Sequence, residues 1–118
     1  MIPAATLLIA LAAPVKAQVP PDPGAAAKGG LIAFTKSLAR EFARYRINVN
    51  CVCPGPTDTP LFQRQPERMK EALTRAIPFR RIAQPIEIAQ AVMFFLSGQA
   101  DYITGQVLSV SGGLTMAD

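Results

Sequence analysis

The spacing of hydrophobic positions changes several times along the chain, and each change marks an element. Residues 4–13 form an unbroken apolar run, Ala-Ala-Thr-Leu-Leu-Ile-Ala-Leu-Ala-Ala, that ends at Pro14. A membrane-spanning helix needs about 20 apolar residues, so this run reads instead as a buried strand or a short core helix. As a strand, residues 6–12 would pair in parallel beside residues 47–53, and their continuous apolar character suits a central position buried on both faces. Gln18-Val19-Pro20-Pro21-Asp22-Pro23-Gly24 is a loop, because prolines at that density fit neither a helix interior nor a central strand. The spacing then becomes helical. Leu31, Phe34, Leu38, Phe42 and Tyr45 recur on one face and predict a helix over residues 25–46, with Lys36, Arg40, Glu41 and Arg44 largely off that stripe. Gly29-Gly30 weakens it by nearly 1 kcal/mol per residue relative to Ala, which implies a local need for small residues.

Alternation returns at residues 47–53, where Ile47, Val49, Cys51 and Cys53 share one face of a predicted strand that stops at Pro54-Gly55-Pro56. A polar turn follows, Thr57-Asp58-Thr59-Pro60. Residues 61–77 carry a broken apolar face of Leu61, Phe62, Met69, Leu73 and Ile77, interrupted by Pro66. Broken helices on long connections often cover sites. After a basic loop over residues 78–84, Pro85 opens another helix at a position proline favours. Its expected buried stripe is Ile88, Ala89, Val92, Phe95 and Leu96, with Glu87 in the first turn and Gly98 at the end. A last strand over residues 106–110 precedes Ser111-Gly112-Gly113. Strands joined by helical crossovers make a parallel βαβ unit covered on both faces.

Composition narrows the chemistry. The 118 residues contain no histidine, which excludes imidazole-based nucleophile systems and imidazole metal ligands. Two cysteines cannot close a four-ligand zinc site, and Cys-x-Cys is not the spacing of a redox pair, so Cys51 and Cys53 read as small apolar strand residues and no metal is expected. The net charge of +4 is spread along the chain with no basic run and only 7% aromatics, which argues against a nucleic-acid partner. Chemistry therefore rests on Lys, Tyr, Asp, Glu, Ser or Thr, or on a cofactor.

Several short motifs stand in order: Lys28-Gly29-Gly30, Arg46-Ile47-Asn48-Val49-Asn50, Pro54-Gly55-x-x-x-Thr59, Pro85-x-Glu87-Ile88-Ala89, Thr104-Gly105-Gln106 and Ser111-Gly112-Gly113. In order and spacing they resemble the C-terminal half of a short-chain dehydrogenase/reductase, over residues 25 to 115. The resemblance implies an α/β fold, a partial Rossmann-like doubly wound parallel sheet with helices on both faces. It also implies NAD or NADP as cofactor and an alcohol or ketone as small-molecule substrate. Lys28 looks like the lysine of the family's Tyr-x-x-x-Lys pair, the catalytic candidate that holds the nicotinamide ribose and lowers the tyrosine pKa. Residues four apart share a helix face, and an ammonium beside a phenol favours the phenolate. Pro54, Gly55, Thr57 and Thr59 resemble the segment that meets the nicotinamide, and Leu61, Phe62, Met69 and Leu73 would belong to the substrate lid. Taken singly, each has a plainer reading: a solvated lysine, a strand-ending turn, and Thr59 as a helix N-cap.

The departures are as specific as the match. Gly24 stands four residues before Lys28, where the family has its tyrosine, and no serine precedes Ser37. No glycines are spaced as a phosphate-cradling G-x-G-x-x-G. Tyr45 is seventeen helical residues beyond Lys28, roughly 25 Å away, and does not replace the missing phenol. A truncated or frame-shifted reading frame would leave this pattern, and so would a divergent protein. The sequence thus predicts an atypical apolar leader and proline-rich loop over residues 1–24 and an SDR-like unit over residues 25–118. A chain inactive by itself is expected, or alternatively a non-catalytic remnant acting as an oligomerisation or interaction domain. Self-association, a cytoplasmic location and no membrane partner complete the expectation. A signal peptide over residues 1–17, with Val15-Lys16-Ala17 as its cleavage site, is the alternative for the leader, although no basic residue precedes the apolar run.

Overall fold

A computed structural model describes residues 5–10 and 23–116. In chain order the elements are strand β1 (Ala5–Ala10), helix α1 (Pro23–Phe42), strand β2 (Ile47–Pro54), helices α2 (Pro60–Gln63), α3 (Glu67–Ala76) and α4 (Pro85–Leu96), and strand β3 (Val107–Val110). Two 3-10 turns, Ala43–Tyr45 and Gly98–Ala100, close α1 and follow α4. The three strands are all parallel in the order β1-β2-β3. Ala5 pairs with Ile47 and Ala10 with Val52, while Cys51 pairs with Val107 and Pro54 with Val110. This is the α/β parallel arrangement that the element order implied. The expected strand near the start of the chain is present and lies beside β2. It occupies an edge of the described sheet, however, and β2 takes the central place. The proline-rich crossover up to residue 22 and the Val15-Lys16-Ala17 site lie outside the described residues.

β2 is buried along its whole interior, so its two faces must be covered by different elements. On one face lies α1. Its packed stripe is built on Thr35 and Ala39, both buried, flanked by half-buried Leu31 and Phe42. The periodicity had pointed to a stripe through Phe34 and Tyr45, but these are 53% and 57% exposed. The difference is steric. A helix lying close over a strand needs small residues at the contact, and the larger side chains rotate outward. Gly105, at φ 72°, also comes close to α1, and a Cβ there would lie 3.3 Å from that of Ala39.

On the other face Val52, Phe95 and Ala100 form a buried cluster, joined by Ile88, Ala91, Val92, Ile103 and Val110. Burying a phenylalanine such as Phe95 contributes about 2–3 kcal/mol. Ile88, Val92 and Phe95 follow the expected stripe of α4, whereas Ala89 and Leu96 point to solvent and Ala91 takes a place in the contact. Glu87 fulfils its first-turn role by closing a capping box with Gln84. Gly98 opens a 3-10 turn after Ser97 has ended the helix. Among the described residues no helix is long and apolar enough to cross a membrane.

Candidate functional site

In an open parallel sheet, ligands meet the carboxyl ends of the strands. Here those ends are Pro54 on β2 and Val110 on β3, and the chain between and after them is tied tightly. The Gly55 amide donates to the Val110 carbonyl at 2.8 Å. A Cβ on Gly55 would sit 2.8 Å from both Cα and Cβ of Ser111, so only glycine lets the two segments approach this closely. The Thr57 hydroxyl donates back to the Gly55 carbonyl at 2.8 Å. Thr57 and Ala83 form a parallel bridge, with Asp58 N–H on the Ala83 carbonyl and Ala83 N–H on the Pro56 carbonyl. The Thr59 hydroxyl accepts the Phe62 amide at 3.2 Å and caps α2, with Pro60 at the first helical position.

At the opposite, amino end of β2, two buried asparagines hold the chain that leads into β3. The Asn48 side-chain amide donates to the carbonyls of Ala100, Asp101 and Ile103 at 2.9, 3.0 and 2.9 Å. Asn50 donates to the Ile103 carbonyl and accepts the Gln106 amide, each at 3.1 Å. The Thr104 hydroxyl accepts the Val49 amide at 3.0 Å. Together they stitch the approach to β3 onto β2. Sequence reasoning gave Asn48, Asn50 and Thr104 no task. The available signal was two amides inside a strand with apolar neighbours, which must find partners if buried. Beyond β3, Ser111 accepts the Thr115 amide at 3.1 Å, and Ser109 bonds the Thr115 hydroxyl. Gly112 and Gly113, at φ 62° and 93°, turn the chain against Ile77, Pro78 and Phe79.

Lys28 is half-buried and lies two helical turns before Thr35, on the side of α1 that faces β2. It is near enough to Cys51 for its charge to favour the thiolate, but burial and the neighbouring Cys53 outweigh it and push the Cys51 thiol up to about 11. Cys51 is therefore a protonated core thiol, as the strand pattern implied. The fold brings Lys28 to the half of β2 that runs into Pro54 and Gly55. Thr57 and Thr59 follow, but their hydroxyls are engaged within the turn and the cap.

The segment from Pro60 to Ile82 leaves and rejoins the body at that turn. Leu61 and Met69 are 65% and 49% exposed, Phe62 and Leu73 are half-buried, and Ile77 is the buried anchor. Arg80 adopts φ 60°, a left-handed conformation unusual for a long side chain, and its guanidinium donates to the Arg75 carbonyl at the end of α3 at 2.6 Å. Arg81 grips Glu87 through two bonds of 2.9 and 2.7 Å, fixing the end of the segment to α4. Those bonds, with the Gln84 amide, hold the Glu87 carboxyl down at about 2.

Residues 5–115 match the family described as Enoyl-(Acyl carrier protein) reductase. The chain is 41% identical over 92 residues to 3-oxoacyl-[acyl-carrier-protein] reductase FabG of Thermotoga maritima, covering 78% of this chain and 37% of that protein. It is 47% identical over 91 residues to an acetoacetyl-CoA reductase of Acinetobacter sp., covering 77% and 37%. It is 45% identical over 91 residues to nodulation protein G of Rhizobium sp., with the same coverage. The chain thus spans little more than a third of the length of these curated relatives.

Proposed function

Since the chain belongs to the short-chain dehydrogenase/reductase family, we propose that it carries the nicotinamide-and-substrate side of an NAD(P)-dependent reductase and does not turn over substrate by itself. The observation that carries this reading is the position of Lys28 on the sheet-facing side of α1, over the strand that ends in the Pro54-Gly55 turn. A nicotinamide, when bound, supplies or accepts the hydride. Lys28 fits its ribose hydroxyls as a donor, and the backbone around Gly55 and Thr57 fits its carboxamide. The pyrophosphate has no counterpart, because the eight glycines include no phosphate-cradling spacing. Binding is therefore weak, and the coenzyme choice between NAD and NADP lies outside these residues.

The names of the relatives point to a 3-oxoacyl thioester as the ketone to be reduced. Reduction adds hydride to the ketone carbon and a proton to its oxygen, giving the alcohol. In this chain Gly24 stands where the proton donor would be, four residues before Lys28. Lys28 can orient the cofactor but has no phenol to acidify, and the general acid is missing. Leu61, Phe62, Met69 and Leu73 would close over the acyl group. We further propose that the chain self-associates, supported by Phe34 on α1 and by Ile86, Met93 and Leu96 exposed along α4. Its two free, buried cysteines fit a reducing, cytoplasmic setting.

The test has two readouts. Titration with NADH and NADPH, followed by cofactor fluorescence, is expected to show weak saturable binding that Lys28→Ala reduces further. Nicotinamide absorbance with acetoacetyl-CoA is expected to show no turnover above the Lys28→Ala background. Turnover above that background overturns the inactive reading, and binding unaffected by Lys28→Ala overturns the site. Light scattering is expected to show oligomers, and a monodisperse monomer refutes self-association.

A further inference from the structure

Basic residues occur along the whole chain, but their excess over acids does not. Residues 60–82 hold six of the twelve Lys and Arg and only two of the eight Asp and Glu. The net charge of +4 therefore lies entirely in this excursion, and the rest of the chain is balanced, six against six. Five of the six basic residues are arginines. The planar fork of an arginine meets phosphate oxygens two at a time, where lysine offers a point charge. Resting on the reading of this chain as the substrate side of a 3-oxoacyl thioester reductase, we propose that the excursion recognises the phosphates of coenzyme A. It thereby selects a coenzyme A thioester as the form in which the acyl group arrives.

Most of that charge is open to a ligand. Among the described residues two ion pairs form, Lys70 with Glu67 and Arg81 with Glu87. Arg80 donates to the Arg75 carbonyl and keeps its full charge. Arg64, Arg68 and Arg75 are exposed and have no carboxylate partner among the described residues. The helix that carries two of them is sorted into sides. At about 100° per residue, Met69, Ala72, Leu73 and Ala76 share one side of α3, and none of them is buried. Arg68 and Arg75, seven residues and about 10 Å apart, run along one border of that side. Coenzyme A has the same division, an uncharged pantetheine arm that ends in a diphosphate and a 3′-phosphate. With the arm against the apolar side, the phosphates come to the arginine border. Glu71 lies between Arg68 and Arg75 on the helix, is the one carboxylate of the excursion outside these ion pairs, and works against binding. A protein docking surface takes about 20–30 residues a side, which the arginines of one short excursion do not make.

The full chain is titrated calorimetrically with coenzyme A at low and at physiological salt, with 3′-dephospho-coenzyme A and pantetheine as comparisons. Coenzyme A is expected to bind, and to bind less tightly as salt rises. Removing the 3′-phosphate is expected to weaken binding, and pantetheine to bind at least about 10-fold more weakly than coenzyme A. Arg68→Gln and Arg75→Gln are each expected to weaken coenzyme A binding about 5-fold, and the exposed Lys36→Gln on α1 to leave it unchanged. Glu71→Gln is expected to tighten it about 2-fold, a gain that no misfolded variant would give. Lys28→Ala, expected to reduce NADPH binding, is expected to leave coenzyme A binding intact, so failure of the cofactor site and failure of the arginine surface are read separately. Three results each overturn the proposal: pantetheine binding as tightly as coenzyme A, wild-type affinity in the Arg68→Gln/Arg75→Gln double variant, or an acyl carrier protein binding at these arginines while coenzyme A does not.

Discussion

The joined ends of β2 and β3 and the excursion over residues 60–82 begin at the same turn, yet they are held by different means. At the sheet end, backbone meets backbone at a glycine, and at the other end of the same strands two buried asparagines satisfy carbonyls and an amide that would otherwise face the interior. No buried side-chain polar atom among the described residues lacks a partner. The excursion has large apolar side chains in solvent. It is fastened at its roots by the Thr57–Ala83 bridge, the Arg81–Glu87 pair and Ile77. Burial makes the first region intolerant of change, and exposure makes the second adaptable. A rigid floor with an adjustable cover is what the proposed cofactor and acyl-substrate site would require.

Substitutions should separate the two regions sharply. Asn48→Ala removes a side-chain donor from the carbonyls of Ala100, Asp101 and Ile103, leaving the Asp101 carbonyl without one, and is expected to cost about 2–3 kcal/mol, read as a lower urea midpoint. Gly55→Ala forces a Cβ against Ser111 and is expected to cost about 2 kcal/mol by the same measurement. If either variant unfolds at the wild-type midpoint, the β2–β3 pair is looser than its packing implies. Gly30→Ala meets nothing within 4 Å and should stabilise α1 by roughly 0.5–1 kcal/mol, seen as slower hydrogen exchange in its first turns. Within the excursion, Leu61→Ser is expected to change stability by less than about 0.5 kcal/mol. A loss comparable to that of Gly55→Ala would erase the contrast.

The root at Glu87 responds to acid in a definite direction. Its carboxyl is held at about 2 in the folded chain, against 4.5 as the ordinary value. A depressed carboxyl contributes stability that is fully present above the ordinary pKa and is lost as pH falls through the folded one. Both partners are exposed, so the contribution is small and screened by salt. Glu87→Gln is expected to lower stability slightly at neutral pH and to flatten the stability–pH profile between about 4.5 and 2, so that the two proteins converge at the acid end. An unaltered acid limb in that variant would show that another carboxylate governs it.

Much of the fold was legible from the residues alone, because hydrophobic periodicity and turn residues act locally. The alternation at residues 47–53, the helix opened by Pro85 with Glu87 in its first turn, and the break at Pro66 all reappear as elements within a few residues of expectation. The same local reasoning misjudged which side of α1 is buried. Periodicity ranks side chains by apolarity, whereas close packing on β2 selects the small Thr35 and Ala39 over Phe34 and Tyr45. Among the candidate site residues, the order Lys28, Pro54, Gly55, Thr57, Thr59 was visible. That both threonine hydroxyls are spent within the turn and the cap was not.

By itself the sequence determined the parallel α/β class and the positions of the turns. It also determined the absence of a tyrosine four residues before Lys28 and of a glycine-rich phosphate loop. These are properties of the local chain, set by side-chain pattern, proline and glycine. The tertiary structure alone decided that Asn48 and Asn50 would clamp the segment leading into β3, fifty residues away, and that Gly55 would be needed by Ser111. It also brought the two cysteine sulfurs within 4.0 Å beneath α1. Such relations depend on which segments the packed sheet makes neighbours, and a donor, an acceptor or a missing Cβ acquires its meaning only from the group opposite it.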